Sequence, residues 1–188
     1  MGIISITGDL GSGKSTAARK ICEILGYEYF STGTIQRKIA EQRGIDTLQL
    51  NKDCKADKSV DDYIDGCLKA MNTDETDNIV LDSRMAWFFV GKSFKVYLTA
   101  RPEVAAERVF HDDKRKSEPT GDTLTVMKNL LARQREENER FKEFYNADCY
   151  NRDNFDLVLD TSDLTVDEVA LAVVAAFSSS CPSASSRT

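Results

Sequence analysis

The chain has 188 residues, of which 41% are hydrophobic and 30% charged, and its formal net charge at pH 7 is −6. The acidic balance argues against broad nucleic-acid binding, which needs a basic surface, and no apolar run reaches the ~20 residues of a membrane span. This size and composition fit one globular domain with its own core. We therefore expect a single, monomeric domain over residues 1–177, with neither nucleic acid nor a membrane as partner.

Strands that alternate with helices dominate the hydrophobic pattern. Strands are expected at residues 3–7, 27–32, 78–82, 94–99 and 155–160. Helices are expected at residues 16–25, 34–44, 124–144 and 166–177, with one or two more in residues 48–71 and another opened by Pro102. The alternation predicts an α/β fold with a five-stranded parallel sheet and helices on both faces. Ligands of such sheets bind at the carboxyl ends of the strands.

The cysteines and the N-terminal segment indicate the cellular compartment. Five cysteines show no paired metal-ligand spacing, and an odd number does not complete a disulfide framework. The first strand begins almost at the N-terminus, so no signal peptide is expected. Both observations predict a cytoplasmic protein with reduced thiols. At the other end, residues 178–188 are rich in serine and predict a disordered tail.

A phosphate-loop motif joins the first strand to the first helix. It has two glycines five residues apart, followed by Lys and Ser. Glycines let the main chain fold around a triphosphate, Lys14 can reach the β- and γ-phosphates, and the Ser15 hydroxyl can ligate Mg²⁺. A glycine-rich turn without a ligand is the alternative. The motif predicts a P-loop NTPase fold that binds a nucleoside triphosphate through Gly8, Asp9, Leu10, Gly11, Ser12, Gly13, Lys14, Ser15 and Thr16.

Three charged side chains are expected at the same edge of the sheet. Asp82 ends an apolar strand, where such folds keep the acid that holds Mg²⁺, although an aspartate that caps a turn is the alternative. Arg84 follows two residues later, and Arg37 lies on the helix after the second strand. Arg37 is placed to hold an acceptor's phosphate, with a solvated surface arginine as the alternative, and Arg84 is interpreted as a phosphate or base contact.

The helix at residues 124–144 carries a second group of charges. Arg133, Glu137 and Arg140 are spaced i, i+4 and i+7, so they share one face. Phosphoryl transfer needs cations over the transferring group, and a helix that swings in would supply them. The stretch at residues 111–123 is charged and contains a proline and a glycine, which predicts a mobile loop. A salt-bridged helix face in solvent is the alternative.

Other conspicuous side chains are given structural roles. His111 is interpreted as a surface residue, because it has no cysteine or acid at ligand spacing. The aromatic residues at 87–89 are expected in the core after the third strand. Asp61, Asp62 and Asp65 are assigned to a solvated face, although one of them could read a nucleotide base.

Together these segments resemble a cytidylate kinase of the compact archaeal-type branch of the nucleoside monophosphate kinases. The resemblance runs from residue 3 to about residue 174. Besides the phosphate loop, it rests on residues 31–37 (STGTIQR), 43–45 (RGI), 81–84 (LDSR), 133–145 and 160–162 (DTS). The phosphate loop alone is widely shared, whereas its combination with Ser-Thr-Gly-x-x-x-Arg and an arginine-rich helix is far more specific.

The resemblance implies that ATP gives its γ-phosphate to CMP or dCMP with Mg²⁺ as cofactor. It implies an acceptor-binding helical region at about residues 34–75 and a mobile lid at about residues 110–140. Acceptor contacts would come from Thr32, Gly33, Arg37, Arg84 and Glu137. Ser15 and Asp82 would hold Mg²⁺, and Lys14, Asp82, Arg133 and Arg140 would act in catalysis, the two arginines as a phosphate clamp. Arg108 would help at the base of the lid, and Thr161, Ser162 and Asp163 would lie near adenine.

The chain departs from the family pattern at three places. Asp9 and Leu10 replace the small residues or proline common inside the loop, and the Asp9 side chain is expected to point outward. Met85 stands where bacterial cytidylate kinases place an acid that helps to read cytosine. Gly66 and Cys67 replace an arginine frequent in archaeal-type members. Two alternatives stay open: a kinase of the same fold for another nucleotide, a nucleoside or a metabolite such as shikimate, and a non-catalytic nucleotide sensor.

Overall fold

The computed structural model describes residues 2–45, 47–54, 57–112 and 122–180, except for the side chain of Leu48. Five parallel strands form one sheet in the order β2-β3-β1-β4-β5. The strands are β1 (Ile3–Gly8), β2 (Glu28–Ser31), β3 (Ile79–Asp82), β4 (Phe94–Thr99) and β5 (Leu157–Asp160). The predicted five-stranded parallel sheet is confirmed.

The register of the strands places the ends of several strands side by side at one edge of the sheet. Asp82 at the end of β3 is paired with Ile6 of β1 and with Ser31 of β2, and Gly8 is paired with Leu98 of β4. The carboxyl ends of four neighbouring strands therefore meet where the phosphate loop leaves β1.

The helices are α1 (Lys14–Leu25), α2 (Thr32–Arg43), α3 (Thr47–Asp53), α4 (Ser59–Ala70), α5 (Ala86–Phe89), α6 (Pro102–Phe110), α7 (Thr123–Tyr145) and α8 (Val166–Ser180), with a 3-10 turn at Arg152–Asn154. The segment 48–71 thus contains most of α3 and all of α4. The carboxylate of Asp122 caps α7 by accepting a hydrogen bond from the Thr125 amide at 2.8 Å. Most of the predicted mobile loop, residues 113–121, lies outside the described residues.

Apolar side chains cover both faces of the sheet, as the pattern predicts. On one face, Ile4 and Val80 pack with Ile21 of α1 and Val173 of α8; on the other, Leu81 packs with helices including α4 and α5. A smaller cluster joins Leu10 of the phosphate loop to Ala106 and Val109 of α6 and to Val126 and Leu130 of α7. The two larger clusters hold the layers together, and the third ties α6 and α7 to the loop.

Two structural expectations are wrong in part. Helix α8 continues through Ser180, so the first three serines of the predicted tail are helical, and the hydroxyls of Ser179 and Ser180 donate to main-chain carbonyls one turn earlier. Residues 181–188 lie outside the described part of the chain. Of the aromatic residues at 87–89, Trp87 is buried, but Phe88 is 42% exposed because α5 has only one face toward the sheet.

Among the helices of the described ranges, none combines the length and the apolar character that a membrane span requires.

Candidate active site

The phosphate loop has the backbone that its glycines predict. Gly8, Gly11 and Gly13 all have positive φ angles. A Cβ at Gly8 would lie 1.9 Å from the carbonyl oxygen of Leu98, and one at Gly11 would lie 2.6 Å from the carbonyl oxygen of Ala105, so neither position accepts a side chain. Lys14 begins α1 and its Nζ donates to the main-chain carbonyl of Asp9. The N-terminal end of α1 therefore points into the loop, where an anion is favoured.

Ser15 and Asp82, the two predicted magnesium ligands, lie in contact. The Ser15 hydroxyl donates to Oδ2 of Asp82 at 2.6 Å, and the hydroxyls of Tyr29 and Ser31 donate to the same oxygen at 2.8 and 3.3 Å. Asp82 is buried. No group of three or more His, Cys, Asp or Glu side chains suited to a metal occurs within the described ranges. A hydroxyl and one carboxylate fit Mg²⁺, which takes oxygen ligands and usually one or two from the protein, beside phosphates and water.

One cavity of about 120 Å³ brings together most of the predicted transfer and acceptor residues. Its walls come from the phosphate loop, the ends of β2 and β3, and helices α2, α4 and α7. They include Lys14, Ser15, Thr32, Gly33, Arg37, Asp82, Arg84, Arg133, Glu137 and Arg140. Arg37 is exposed and its Nη2 donates to Thr34 Oγ1 at 3.1 Å, so it stands at the surface of α2 with one side toward the cavity.

Glu137 joins helix α7 to the edge of the sheet. Its carboxylate lies 3.0 Å from Nε of Arg84 and 2.8 Å from Nε of Arg133, and its side chain is only 6% exposed. Burial opposes the negative charge, but the two guanidinium groups outweigh this and lower the pKa of Glu137 to about 2. Arg84 also donates to the carbonyl of Gly8. At Arg133 and Glu137 the charged face of α7 therefore packs against Arg84 beside the phosphate loop, and the alternative of a solvated salt-bridge face is wrong.

Arg140 contacts α3 and α4 in this conformation. It is 3% exposed, its Nε lies 3.4 Å from Oδ2 of Asp61, and its Nη1 donates to the carbonyl of Asn51 at 3.1 Å. Its Nη2 is buried and has no hydrogen-bond partner among the described residues. Arg140 therefore contacts α3 and α4, whereas its predicted role as a phosphate clamp would need contact with phosphates held by the loop.

Asp61 and Asp65 also line the cavity, so their assignment to a solvated face is wrong. Each is 5% exposed, and burial raises the pKa of both carboxyl groups. Tyr145 of α7 donates to Oδ2 of Asp65 at 2.6 Å. Only Asp62 of the three is exposed. The signal was present in the sequence: the two acids follow Val60 and Ile64, which form the i, i+4 apolar stripe of α4.

A second cavity, of about 600 Å³, lies on the other side of the phosphate loop and fits the predicted ATP side. Gly11, Ser12, Gly13, Thr16, Arg108 and Thr161 line it. Arg108 donates from Nη1 to the hydroxyl of Thr161 at 3.0 Å and from Nη2 to its carbonyl at 2.7 Å. His111, interpreted as a surface residue, is exposed but also lines this cavity.

Ser162 and Asp163 do not contribute to that wall. The Ser162 hydroxyl donates to Asp160 Oδ1 at 2.5 Å and accepts from the Arg101 amide at 2.9 Å. Asp163 forms a bidentate pair with the Arg101 guanidinium, with both N–O distances 2.7 Å. These bonds hold both side chains in the turn after β5, and their expected place near adenine stays a prediction.

The Asp9 side chain points inward, contrary to expectation. Its carboxylate accepts hydrogen bonds from the hydroxyls of Tyr97 and Thr99 at 2.6 and 2.5 Å, because the loop turns back over the end of β4. Leu10 is 8% exposed and packs between α6 and α7. The two unusual loop residues thus fill the space between the phosphate loop, the end of β4 and helices α6 and α7.

Comparison with known proteins gives matches over most of the chain. The model of the cytidylate kinase-like family matches residues 3–163. A cytidylate kinase of Natronomonas pharaonis is 35% identical over 182 residues, which cover 96% of this chain and 91% of that protein. An S-adenosylmethionine-dependent nucleotide dehydratase of Lacinutrix mariniflava is 32% identical over 172 residues, 91% of this chain but 35% of that protein.

Among solved structures, shikimate kinase from Acinetobacter baumannii in complex with shikimate has a TM-score of 0.63 at 17% identity. The match covers 95% of this chain and 94% of that one. At this identity the likeness shows the fold alone, a P-loop kinase fold. Because the family model covers most of the chain and the relatives align over nearly all of it, the chain belongs to the cytidylate kinase-like family and is a nucleoside monophosphate kinase.

Proposed function

We propose that this protein transfers the γ-phosphate of ATP to CMP or dCMP. The observation that carries the proposal is the single cavity that Lys14 and Ser15 of the phosphate loop share with the acceptor-side residues Arg37 and Arg84. A donor phosphate on the loop and an acceptor phosphate held by these arginines would face each other there. The cytidylate kinase of Natronomonas pharaonis, similar over nearly its whole length, supports the cytidine nucleotide as acceptor.

The reaction needs no covalent enzyme intermediate. An oxygen of the acceptor's phosphate forms a bond to the γ-phosphorus, the bond from that phosphorus to the β–γ bridging oxygen breaks, and ADP leaves. Lys14 neutralises the transferring group, while Arg84 and Arg133, both held by Glu137, supply positive charge from the facing wall. Ser15 and Asp82 would hold Mg²⁺, which adds charge neutralisation at the phosphates when it is bound.

The acceptor side carries a donor and an acceptor suited to cytosine. Cytosine offers an amino donor at N4 beside acceptors at N3 and O2, and a carboxylate accepts from that amino group. Asp61 provides a buried carboxylate, and the neighbouring Arg140 has a buried Nη2 without a partner among the described residues. Uracil would place its O4 acceptor against the carboxylate. The combination of Asp61 as acceptor and Arg140 as donor therefore supports a preference for cytosine over uracil.

A coupled assay tests the acceptor with ATP and a panel of CMP, dCMP, UMP, AMP, GMP and shikimate. We expect CMP and dCMP to give the highest kcat/KM. Asp61→Asn is expected to lower the ratio of CMP to UMP turnover roughly 5- to 150-fold, because a base contact of this kind is worth about 1–3 kcal/mol. Asp62→Asn is the matched control, since its side chain is exposed on the same helix. Faster turnover of UMP or AMP than of CMP would contradict the proposal.

A second acceptor within the same class is favoured by one observation. Met85 is 3% exposed and lines the cavity at the position where an acid was expected from bacterial cytidylate kinases. A thioether accepts hydrogen bonds only weakly, so this wall gives less base discrimination than a carboxylate would. If the panel shows similar kcat/KM for CMP and UMP, a general pyrimidine monophosphate kinase is the better description.

A further inference from the structure

Asp9 is tied to the sheet by three hydrogen bonds. Besides the hydroxyls of Tyr97 and Thr99, the Ala100 amide donates to its carboxylate at 3.3 Å. The Asp9 side chain is only 14% exposed. Burial, followed by the contact with this carboxylate, raises the pKa of Tyr97, which therefore stays a donor. A carboxylate held by three donors on one side has a fixed orientation.

The same carboxylate reaches the lid helix. Nε2 of Gln134 on α7 donates to Oδ1 of Asp9 at 3.4 Å. Arg152 lies 4.0 Å from that oxygen, with its guanidinium carbon 3.7 Å from the centre of the Tyr97 ring. Asp9 therefore joins the phosphate loop, the end of β4 and α7 at one point.

The main chain of Asp9 holds the catalytic lysine. Its carbonyl accepts from Lys14 Nζ, from the Ser12 hydroxyl at 2.9 Å and from the Ser12 amide at 3.3 Å. Its amide donates to the carbonyl of Leu98 at 2.9 Å. Gln134 and Lys14 are thus connected through Asp9: one hydrogen bond ends at its carboxylate, the other at its main-chain carbonyl, and the residue's own covalent bonds join the two.

Helix α7 has side chains on two sides of the phosphate loop. Arg133, next to Gln134 in sequence, lines the acceptor cavity, whereas Gln134 and Leu130 face the back of the loop, where Leu10 packs. A shift of α7 would therefore reach Lys14 through Asp9. We propose that Asp9 is a positioning residue, which transmits the placement of α7 to Lys14 and so aligns the lysine for phosphoryl transfer.

A double-mutant cycle with Asp9→Asn and Gln134→Ala tests this role. The asparagine keeps the shape of Asp9 but turns an amide donor toward groups that already donate. The kinetics use ATP and whichever nucleoside monophosphate turns over fastest in the panel, so a failed CMP assignment remains distinguishable. We expect Asp9→Asn to lower kcat about tenfold with the KM for ATP within about twofold, since an interaction realised in the transition state affects kcat and not uniform binding.

Gln134→Ala removes only the link to α7 and leaves the sheet contacts of Asp9. We expect it to lower kcat about threefold, and the double variant to be no slower than Asp9→Asn alone, because both changes break one chain of contacts. Thr99→Val is the control, because it removes one donor on the sheet side and leaves Tyr97 and the Ala100 amide in place. It is expected to keep kcat within about twofold of the wild-type value.

Three results would overturn the proposal: unchanged kcat in Gln134→Ala, multiplicative effects in the double variant, or a loss in Thr99→Val equal to that in Gln134→Ala. Thermal unfolding of each variant shows whether it is folded. If Asp9→Asn does not fold, the comparison of Gln134→Ala with Thr99→Val decides alone, because neither removes the carboxylate.

Discussion

The carboxylate of Glu137 lies 3.0 Å from Nε of Arg84, and this contact joins the middle of α7 to the loop after β3. Arg133 flanks the same carboxylate, so one buried acid holds two arginines in position at the wall of the cavity that Lys14 also lines. Without Glu137, the positive charges would repel each other in a place with little water. The contact therefore matters for stability as well as for the site.

Glu137→Gln should produce a loss of stability that disappears in acid. The folded pKa of about 2 lies below the ordinary value of about 4.3, so Glu137 stabilises the fold fully above pH ~4.5 and loses this as the pH falls toward 2. The difference corresponds to about 3 kcal/mol. Urea unfolding of wild type and variant should show this gap at pH 7 and a shrinking gap below pH 4.5.

Comparing wild type with Glu137→Gln separates the pH dependence due to Glu137 from that of carboxyl groups whose pKa values are shifted in the other direction. Burial raises the pKa of Asp61 and Asp65, so their effect on stability has the opposite pH dependence to that of Glu137. Their contribution to stability is present at low pH and is lost as the pH rises through their folded pKa values. Glu139→Gln, exposed on the same helix, serves as the control and should behave like wild type. A gap between wild type and Glu137→Gln that stays constant from pH 7 to pH 3 would contradict the prediction.

Lys14→Ala should nearly abolish phosphoryl transfer while the protein stays folded. Its charge neutralises the transferring group, and its Nζ already lies within the phosphate loop, on the carbonyl of Asp9. Single-turnover kinetics and a thermal unfolding curve check both parts. Near-normal turnover of the folded variant would count against the assigned catalytic site.

Asp82→Asn should raise the Mg²⁺ concentration needed for half-maximal activity by about tenfold. This corresponds to a loss of about 1.4 kcal/mol in the free energy of Mg²⁺ binding when a charged ligand is removed. A chelator in excess should stop the wild-type reaction. Tyr29→Phe is the matched control, because it removes one hydrogen bond to Asp82 but keeps the carboxylate. Full activity of the wild type in excess chelator would exclude the proposed use of Mg²⁺.

Arg37→Ala should weaken acceptor binding and leave the dissociation constant of ATP little changed. Arg37 lines the acceptor cavity from α2 and is absent from the described wall of the larger, ATP-side cavity. Loss of a charge-assisted pair costs about 1.5–3 kcal/mol, roughly 10- to 150-fold in affinity. Calorimetric titration of each ligand measures this, with Lys38→Ala, exposed on the same helix, as control. An equal loss of ATP affinity would show that Arg37 is misplaced.

The edge of the sheet was predictable from sequence because it depends on local rules. Parallel strands end at the same side, and β-strand patterns are short and distinct, so Asp82, Lys14 and Ser15 could be brought together without knowing any helix packing. The glycines of the loop required positive φ angles or close backbone approach, and the structure has both at Gly8 and Gly11.

The partners of buried charges were less predictable, because they depend on which helices meet. Periodicity placed Arg133, Glu137 and Arg140 on one face but did not show that Arg84 and Asp61 stand opposite. The inward turn of Asp9 likewise follows from hydroxyls on β4 that lie 88 and 90 residues away in sequence. For Asp61 and Asp65 the apolar stripe of α4 was a usable signal, since an acid beside it shares its buried face.

Arg133 and Arg140 should differ in kinetics although they share one helix face. Arg133 lies beside Glu137 in the wall near Lys14, whereas Arg140 contacts Asp61 and Asn51 on the acceptor side. Arg133→Ala should therefore lower kcat, by on the order of 10³ if it neutralises charge as catalytic arginines do. Arg140→Ala should instead raise the KM for CMP and reduce the preference for CMP over UMP. Steady-state kinetics with both acceptors measure the split, with Arg135→Ala, exposed on α7, as control. If Arg140→Ala lowers kcat as far as Arg133→Ala with KM unchanged, both arginines clamp the phosphates, as the family resemblance implies, and the lid must move Arg140 away from Asp61 during the reaction.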